Sequence, residues 1–265
     1  MTGAGGYLGH EFVKTCAREG VSSRLLGRDQ GIDLSRPFDL DERFEGLFSS
    51  PAEDRIVFHL AAMSRWEDCE REPDTAARVN AEATGALAAA IRRFGGRLVY
   101  VSTDLVFDGE HAPYDEESDP RPASIYGRTK RLGEVSVLAE PRNLVIRLPL
   151  LFGPSFDGKR GAGDSILARI RNGEPVVLFR DEWRTPLHVA RAAEMVLAEG
   201  LDPGTKGIRH LPGPERLSRL ELGLRLIREA GLDDSLVEEG SRLDMPGVPR
   251  PRDCSLSTLY PPPGS

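Results

Sequence analysis

Thr2-Gly3-Ala4-Gly5-Gly6-Tyr7-Leu8-Gly9 is the stretch that decides how the rest of the chain is read. Its glycines at 3, 6 and 9 have the spacing of a dinucleotide-binding turn between a strand and a helix. Gly3 permits a tight turn, Gly6 lets backbone approach a pyrophosphate, and Gly9 lets the helix lie close to a sheet. The helix that follows, from about Tyr7 and Leu8, offers free N–H groups and a positive dipole end to phosphates.

Outward from this turn the chain alternates. Short apolar, β-branched runs fall at Arg55–Leu60, Arg97–Ser102, Asn143–Leu148, Pro175–Phe179 and Lys206–Leu211. Helical periodicity fills Leu8–Glu19, Asp74–Phe94, Ser124–Ala139, Asp164–Asn172, Leu187–Glu199 and Leu217–Ala230. Such alternation predicts an α/β fold: a doubly wound parallel sheet with helices on both faces. Residues 1–152 are expected to form the dinucleotide-binding domain, with about 181–212 returning to it. Residues 153–180 and 213–265 are expected to form a small C-terminal substrate-binding lobe. No internal repeat is visible, and the proline-rich end, Met245–Ser265, reads as irregular.

One element does not fit. A dinucleotide fold needs a central strand before its glycine turn, and here only Met1 precedes Thr2. The expectation is that the first strand is missing from the given chain and the natural start lies upstream, a valine codon having been read as the initiating methionine.

The second strand is expected over Ser23–Leu26, followed by Gly27-Arg28-Asp29. Arg28 suits a 2′-phosphate, which favours NADP(H). Asp29 could instead hold a ribose 2′-hydroxyl, which keeps NAD(H) open. Asp33 and Leu34 lie where the next turn could flank an adenine.

The 265 residues carry a net charge of -7 with acids and bases interspersed, which is no footprint for nucleic acid. Cys16, Cys69 and Cys254 are scattered and lack metal spacing, as expected of reduced thiols in a cytoplasmic protein. The five histidines show no ligand spacing either, so no metal is expected, and His59 reads as a strand histidine beside the cofactor edge. No apolar run approaches the roughly 20 residues of a membrane helix.

Tyr126 and Lys130, in Ser124-Ile125-Tyr126-Gly127-Arg128-Thr129-Lys130, stand four apart, on one face of a helix. A cation beside a phenol stabilises phenolate, so the spacing predicts a lowered tyrosine pKa. Such a phenol can give a proton to a carbonyl oxygen or take one back.

Several further stretches share a wording: His59-Leu60-Ala61-Ala62, Val79-Asn80-Ala81, VSTDLVFDG at Val101–Gly109, YDEESDPRPASIYGRTKRLGE at Tyr114–Glu134, Arg184-Thr185-Pro186 and RPRDCSL at Arg250–Leu256. With Thr2–Gly9 they span nearly the whole chain. In this wording the chain resembles an extended short-chain dehydrogenase/reductase, nearest the dTDP-4-dehydrorhamnose reductase group, a Rossmann-type family. The resemblance implies that Thr103 bonds a substrate carbonyl, that Tyr126 donates the proton, and that Lys130 binds the nicotinamide ribose and tunes the phenol. It places Leu60, Ala61, Ala62, Asn80, Ser102 and Leu148 beside the cofactor, with Gly3, Gly6, Tyr7, Leu8, Arg28, Asp33 and Leu34. It turns Met63, Trp66, Asp104, Val106, Leu150 and Arg184 toward the substrate, Arg184 toward a diphosphate. The implied activity is NAD(P)H-dependent reduction of a nucleotide-activated 4-keto sugar. A homodimer is left open.

Nucleotide-sugar dehydratases resemble Thr-Asp-Glu where this chain has Thr103-Asp104-Leu105, so the elimination glutamate is missing. Epimerases resemble Ser-Ser there, and an epimerase remains an alternative. So does a non-catalytic NADP-binding partner of methionine adenosyltransferase from the same subfamily. Leu150 stands where rhamnose-pathway reductases resemble a tryptophan, so Trp66 is a candidate replacement wall and the sugar is open.

Overall fold

The computed structural model describes residues 1–36, 40, 44, 47, 54–244, 247 and 250–260. In chain order, a first helix α1 (Tyr7–Arg18) precedes strand β1 (Ile56–His59) and the short helices α2 (Trp66–Arg71) and α3 (Pro73–Ala77). Then come α4 (Ala83–Phe94), β2 (Arg97–Thr103), α5 (Ile125–Leu138), β3 (Leu144–Leu148) and β4 (Leu151–Phe152). The rest is α6 (Asp164–Arg171), β5 (Val176–Phe179), β6 (Trp183–Arg184), β7 (Leu187–His188), α7 (Val189–Leu201), β8 (Gly207–His210), β9 (Leu217–Ser218), α8 (Arg219–Glu229) and β10 (Val237–Gly240).

The central sheet runs β1-β2-β3-β8 and is parallel throughout, with Val57 opposite Leu98, Val99 opposite Leu144 and Val145 opposite Ile208. A parallel sheet is covered on both faces, which is why its strands read as continuous apolar runs rather than alternating ones. Successive side chains of β2 go to opposite faces. Val99 joins Phe12, Cys16, Ile146 and Val196 under α1 and α7. Leu98 and Tyr100 join Leu87, Ile91, Val137 and Val145 under α4 and α5.

Among the described residues, the sheet continues beyond β1 as bridges: Thr2 pairs in parallel with His59 on one side and Leu26 on the other. Thr2 N–H donates to Phe58 O at 3.0 Å, and Leu26 N–H donates to Met1 O at 2.7 Å. Met1-Thr2 thus occupies the central position expected of the first strand. The strand expected over Ser23–Leu26 is reduced to the Leu26 bridge. Beside that short central segment lies a cavity of about 460 Å³, lined among others by Met1, Phe12, Leu26, Phe58 and Leu201.

Two more differences have local causes. The single helix expected over Asp74–Phe94 is three pieces: α3, a π turn at Arg78–Glu82, and α4. The wide turn brings Asn80 inward, where it holds the backbone of Met63 from both sides: Met63 N–H donates to Oδ1 at 2.8 Å, and Nδ2 donates to Met63 O at 3.1 Å. Strand β10, Val-Glu-Glu-Gly, gave no apolar signal and is held by pairing with β5 instead. That pair packs with α6 and α8 around Ile166, Ile170, Leu178 and Ile227. Of the irregular end expected from 245 onward, residues 250–260 form bridges from Asp253 to Trp183 and from Leu256 to Tyr114, and most of the remainder lies outside the described residues. Among the described residues no helix is long and apolar enough to cross a membrane.

Candidate active site

The carboxyl ends of β1, β2 and β3 open into one cavity of about 790 Å³, whose far wall comes from β6, the start of α8 and Arg250. The glycine turn forms its near end. Gly3 has φ +79°, and a Cβ there would come within 2.5 Å of Ala61 N. A Cβ on Gly9 would overlap the Gly3 carbonyl, so helix and turn meet as closely as backbone allows. Gly5 has nothing within 4 Å of its Cβ position and stays open to the cavity. Helix α1 starts with no side-chain cap, so its first-turn N–H groups remain available to an anion. This cradle, which any side chain would fill, fits a dinucleotide pyrophosphate.

Strand β2 ends in Val101-Ser102-Thr103-Asp104, and α5 delivers Tyr126 and Lys130 opposite it. Ser124 caps α5, accepting from Gly127 N–H at 3.1 Å. Gly127 lets the helix approach: a Cβ there would overlap Leu105 O and lie 2.9 Å from Pro122 Cβ. Gly127→Ala is therefore expected to cost about 1–3 kcal/mol of stability by overpacking. It should also displace Tyr126, so turnover should fall more than urea midpoint stability alone accounts for.

The electrostatics differ from the simple Tyr–Lys expectation. Lys130 Nζ donates to Val101 O at 2.7 Å and lies 4.0 Å from the Tyr100 ring centre. Burial lowers its pKa to about 7, against the attraction of Glu134. The Tyr126 phenol is raised, not lowered: burial dominates, the Asp104 and Cys69 charges add to it, and hydrogen bonding with Thr103 opposes them. A phenol in this state is protonated at neutral pH and is a proton donor. Thr103 Oγ1 donates to Asp104 Oδ1 at 3.0 Å. Asp104 is itself buried, and desolvation raises it to about 6 against Arg184 and Thr103.

The Lys130 shift has a consequence for stability. Its folded pKa, about 7, lies below the ordinary 10.5, so between those values the unfolded chain binds more protons. The penalty of burying the ammonium is absent above about pH 10.5, grows as pH falls, and is complete below about 7. Lys130→Met is expected to raise the urea midpoint at pH 7 and to lose that advantage by pH 10. An advantage unchanged with pH would argue against a buried, destabilising charge.

Beneath these groups, Arg147 and Glu134 form a fully buried bidentate pair at 2.9 and 2.8 Å. Glu134 also accepts from Ser102 Oγ at 2.6 Å and from Arg131 at 3.0 Å. The network pins α5 to β2 and β3 immediately behind Thr103.

At the far wall, Arg184 Nε stands 3.3 Å from Asp104 Oδ2, close enough for attraction but outside hydrogen-bond alignment. Glu182 serves Arg184 at 3.6 Å and Arg250 at 3.1 Å. Arg219, the first residue of α8, donates its backbone N–H to Glu182 O at 2.9 Å, but its guanidinium has no hydrogen bond or ion pair among the described residues, and burial lowers its pKa. Three guanidinium groups therefore face two carboxylates, leaving positive charge for a ligand.

Of the expected cofactor residues, Gly3, Gly6, Tyr7, Leu8, Arg28, Leu60, Ala61, Ala62, Ser102, Tyr126, Lys130 and Leu148 line this cavity. So do Thr103, Trp66, Asp104, Leu150 and Arg184. Five others do not. Val106 is fully buried in a separate cluster with Phe107, Tyr114, Cys254 and Leu256, because the turn after Thr103 points it inward. Met63 and Asn80 hold each other just outside the lining, and Asn80 also bonds Thr129 at 3.1 Å. Asp33 turns to Ser35 at 2.7 Å and to Arg28 at 3.8 Å, while Leu34 packs on the α4 face of the core. His59 lies buried behind the site, bonded to Thr2 at 2.6 Å and Thr84 at 3.0 Å, and burial holds it neutral with a pKa of about 3. Sequence reasoning missed Arg160, Glu182, Arg219 and Arg250, whose charges look the same in a sequence as solvated ones.

Comparison with known proteins follows the same line. The chain is 34% identical over 216 residues to methionine adenosyltransferase 2 subunit beta of Bos taurus, covering 77% of this chain and 64% of the relative, so it spans less than two thirds of that protein. It is 33% identical over 260 residues to a probable dTDP-4,6-dihydroxy-2-methyloxan-3-one 4-ketoreductase of Streptomyces antibioticus, covering 95% of this chain and 83% of the relative. The crystal structure of a dTDP-4-dehydrorhamnose reductase from Clostridium acetobutylicum superposes with a TM-score of 0.84 at 27% identity, over 97% of this chain and 88% of that one. A family match to the RmlD substrate binding domain spans residues 1–259, and the chain belongs to that family.

Proposed function

We propose that this protein is an NAD(P)H-dependent reductase of a nucleotide-activated 4-keto sugar. The observation that carries the reading is the convergence of Thr103, Tyr126 and Lys130 on one cavity that runs from a phosphate cradle to an arginine-rich wall. The nicotinamide, when bound, supplies the hydride. Tyr126, protonated in its buried setting, gives its proton to the carbonyl oxygen. Lys130 is placed to meet the phenolate that results, since a cation stabilises that state more than the phenol. Asp104 and Arg184 tie the Thr103 hydroxyl to the far wall, so the hydroxyl that orients the carbonyl and the charges that hold the substrate share one network. Arg219 and Arg250 suit the diphosphate of a sugar nucleotide. Arg28, exposed at the cradle end, favours NADP(H) over NAD(H).

The test is NADPH consumption at 340 nm with dTDP- and UDP-linked 4-keto-6-deoxy sugars. Substrate-dependent loss of absorbance supports the reading. NADPH binding without turnover on any of them would refute it for this substrate class. A second reading, a subunit of a methionine adenosyltransferase assembly, rests on the 34% identity to the Bos taurus relative, of which the chain spans 64%. A stable complex with a methionine adenosyltransferase, without NADPH consumption, would select it.

A further inference from the structure

The segment between β4 and α6 crosses over the glycine turn and is built to stay there. Tyr7 donates its hydroxyl to Gly153 O at 2.6 Å, and the His10 and Phe156 rings stack at 4.4 Å. Asp164 Oδ2 gathers the segment, accepting from Ser155 Oγ at 2.5 Å, Arg160 N–H at 3.0 Å and Gly161 N–H at 2.7 Å. Gly161 is required beneath it, since a Cβ there would come within 2.6 Å of Gly153 O and 3.0 Å of the Tyr7 hydroxyl.

This scaffold aims one side chain. Arg160 lies over the Phe156 ring at 5.0 Å, and its Nε donates to Asp157 at 2.8 Å. Its Nη1 donates to Gly5 O at 3.0 Å, at the open glycine of the cradle, and Nη2 is unengaged among the described residues. Arg160 lines the main cavity beside Gly5, Gly6 and the uncapped start of α1.

We propose that Arg160 is a cofactor-phosphate ligand: its guanidinium, now resting on the Gly5 carbonyl, closes onto the pyrophosphate held at the start of α1. The proposal rests on the dinucleotide reading above. The helix start supplies backbone N–H donors from one side, and Arg160 supplies a planar cation from the other. Because the arginine is carried by the segment over the turn, bound cofactor and that segment stabilise each other.

The experiment is titration of the full-length protein with NADPH and, separately, NADH, followed by nicotinamide fluorescence, for wild type, Arg160→Gln and Arg160→Lys. Loss of a charge-assisted contact is expected to weaken both cofactors by about tenfold or more in the glutamine variant. The lysine variant, which keeps the charge, should recover most of that loss. Unchanged affinity in Arg160→Gln would overturn the proposal. Loss confined to NADPH would also overturn it, assigning Arg160 to the 2′-phosphate. A lysine variant as weak as the glutamine one would place the effect in packing on Phe156 and overturn the charge contact. Wild-type protein that binds neither cofactor would instead refute the dinucleotide reading itself.

Discussion

Tyr126→Phe is expected to remove about 10²–10⁴ of the turnover while leaving cofactor affinity nearly intact. The reasoning is geometric before it is electrostatic. The phenol lies in the cavity with Thr103 and Lys130, and α5 is held against β2 by Gly127 and by the Glu134 network. Phenylalanine keeps the ring and its packing, so the loss isolates the hydroxyl proton. Burial and the Asp104 charge hold that proton on the oxygen at rest, which suits the reductive direction. Measuring kcat and the NADPH dissociation constant in parallel separates the outcomes. Undiminished kcat would remove Tyr126 from the chemistry. Lost cofactor binding would mean the substitution had disturbed the site as a whole.

The largest stability effect is expected at Glu134. Its carboxylate and Arg147 are both fully buried, and the guanidinium also reaches His210 Nε2 at 3.2 Å. Removing one member of such a pair strands the other as an uncompensated charge, at about 3–5 kcal/mol. Glu134→Ala should therefore show a large drop in urea midpoint. Glu134→Leu combined with Arg147→Met should recover much of it, because an apolar pair of similar volume carries no charge to desolvate. A single variant within about 0.5 kcal/mol of wild type, the range of ordinary surface substitutions, would show that water or a rearranged partner reaches Arg147. The same variants should lower turnover, since Ser102, bonded to Glu134, immediately precedes Thr103.

How legible was this molecule in its sequence? The parallel strands were readable because both faces of the sheet are buried, so Val57–Phe58, Leu98–Tyr100 and Leu144–Ile146 had to be apolar without interruption. The glycine turn and the Tyr126–Lys130 spacing were readable because backbone approach and helical geometry leave few alternatives. Strand β10 was not, since its order comes from pairing with β5 and not from its own residues. Nor was the π turn, which exists to bring Asn80 to Met63 across a loop. The tyrosine pKa was misjudged because spacing reports which groups are neighbours and not how dry they are. Lys130 is four residues away, yet its ammonium is spent on Val101 O, and burial decides the phenol. Of the far-wall arginines, Arg184 was expected on the substrate side, whereas Arg219 and Arg250 could not be told from surface ones until the fold set them beside Glu182.

That wall has a bearing on what the cavity turns away. Among the described residues the Arg219 guanidinium has no hydrogen-bond acceptor, and its neighbours Arg184 and Arg250 already share the nearby carboxylates. A free, uncharged sugar closing this cavity would shut a bare guanidinium away from water. A site made to hydrogen-bond a ligand group rejects the analogue that lacks it more strongly than any steric filter would. On the function proposed above, the unpaired guanidinium is therefore expected to disfavour neutral ligands, and small carbonyl compounds without an anionic handle should bind poorly although they are small enough to enter.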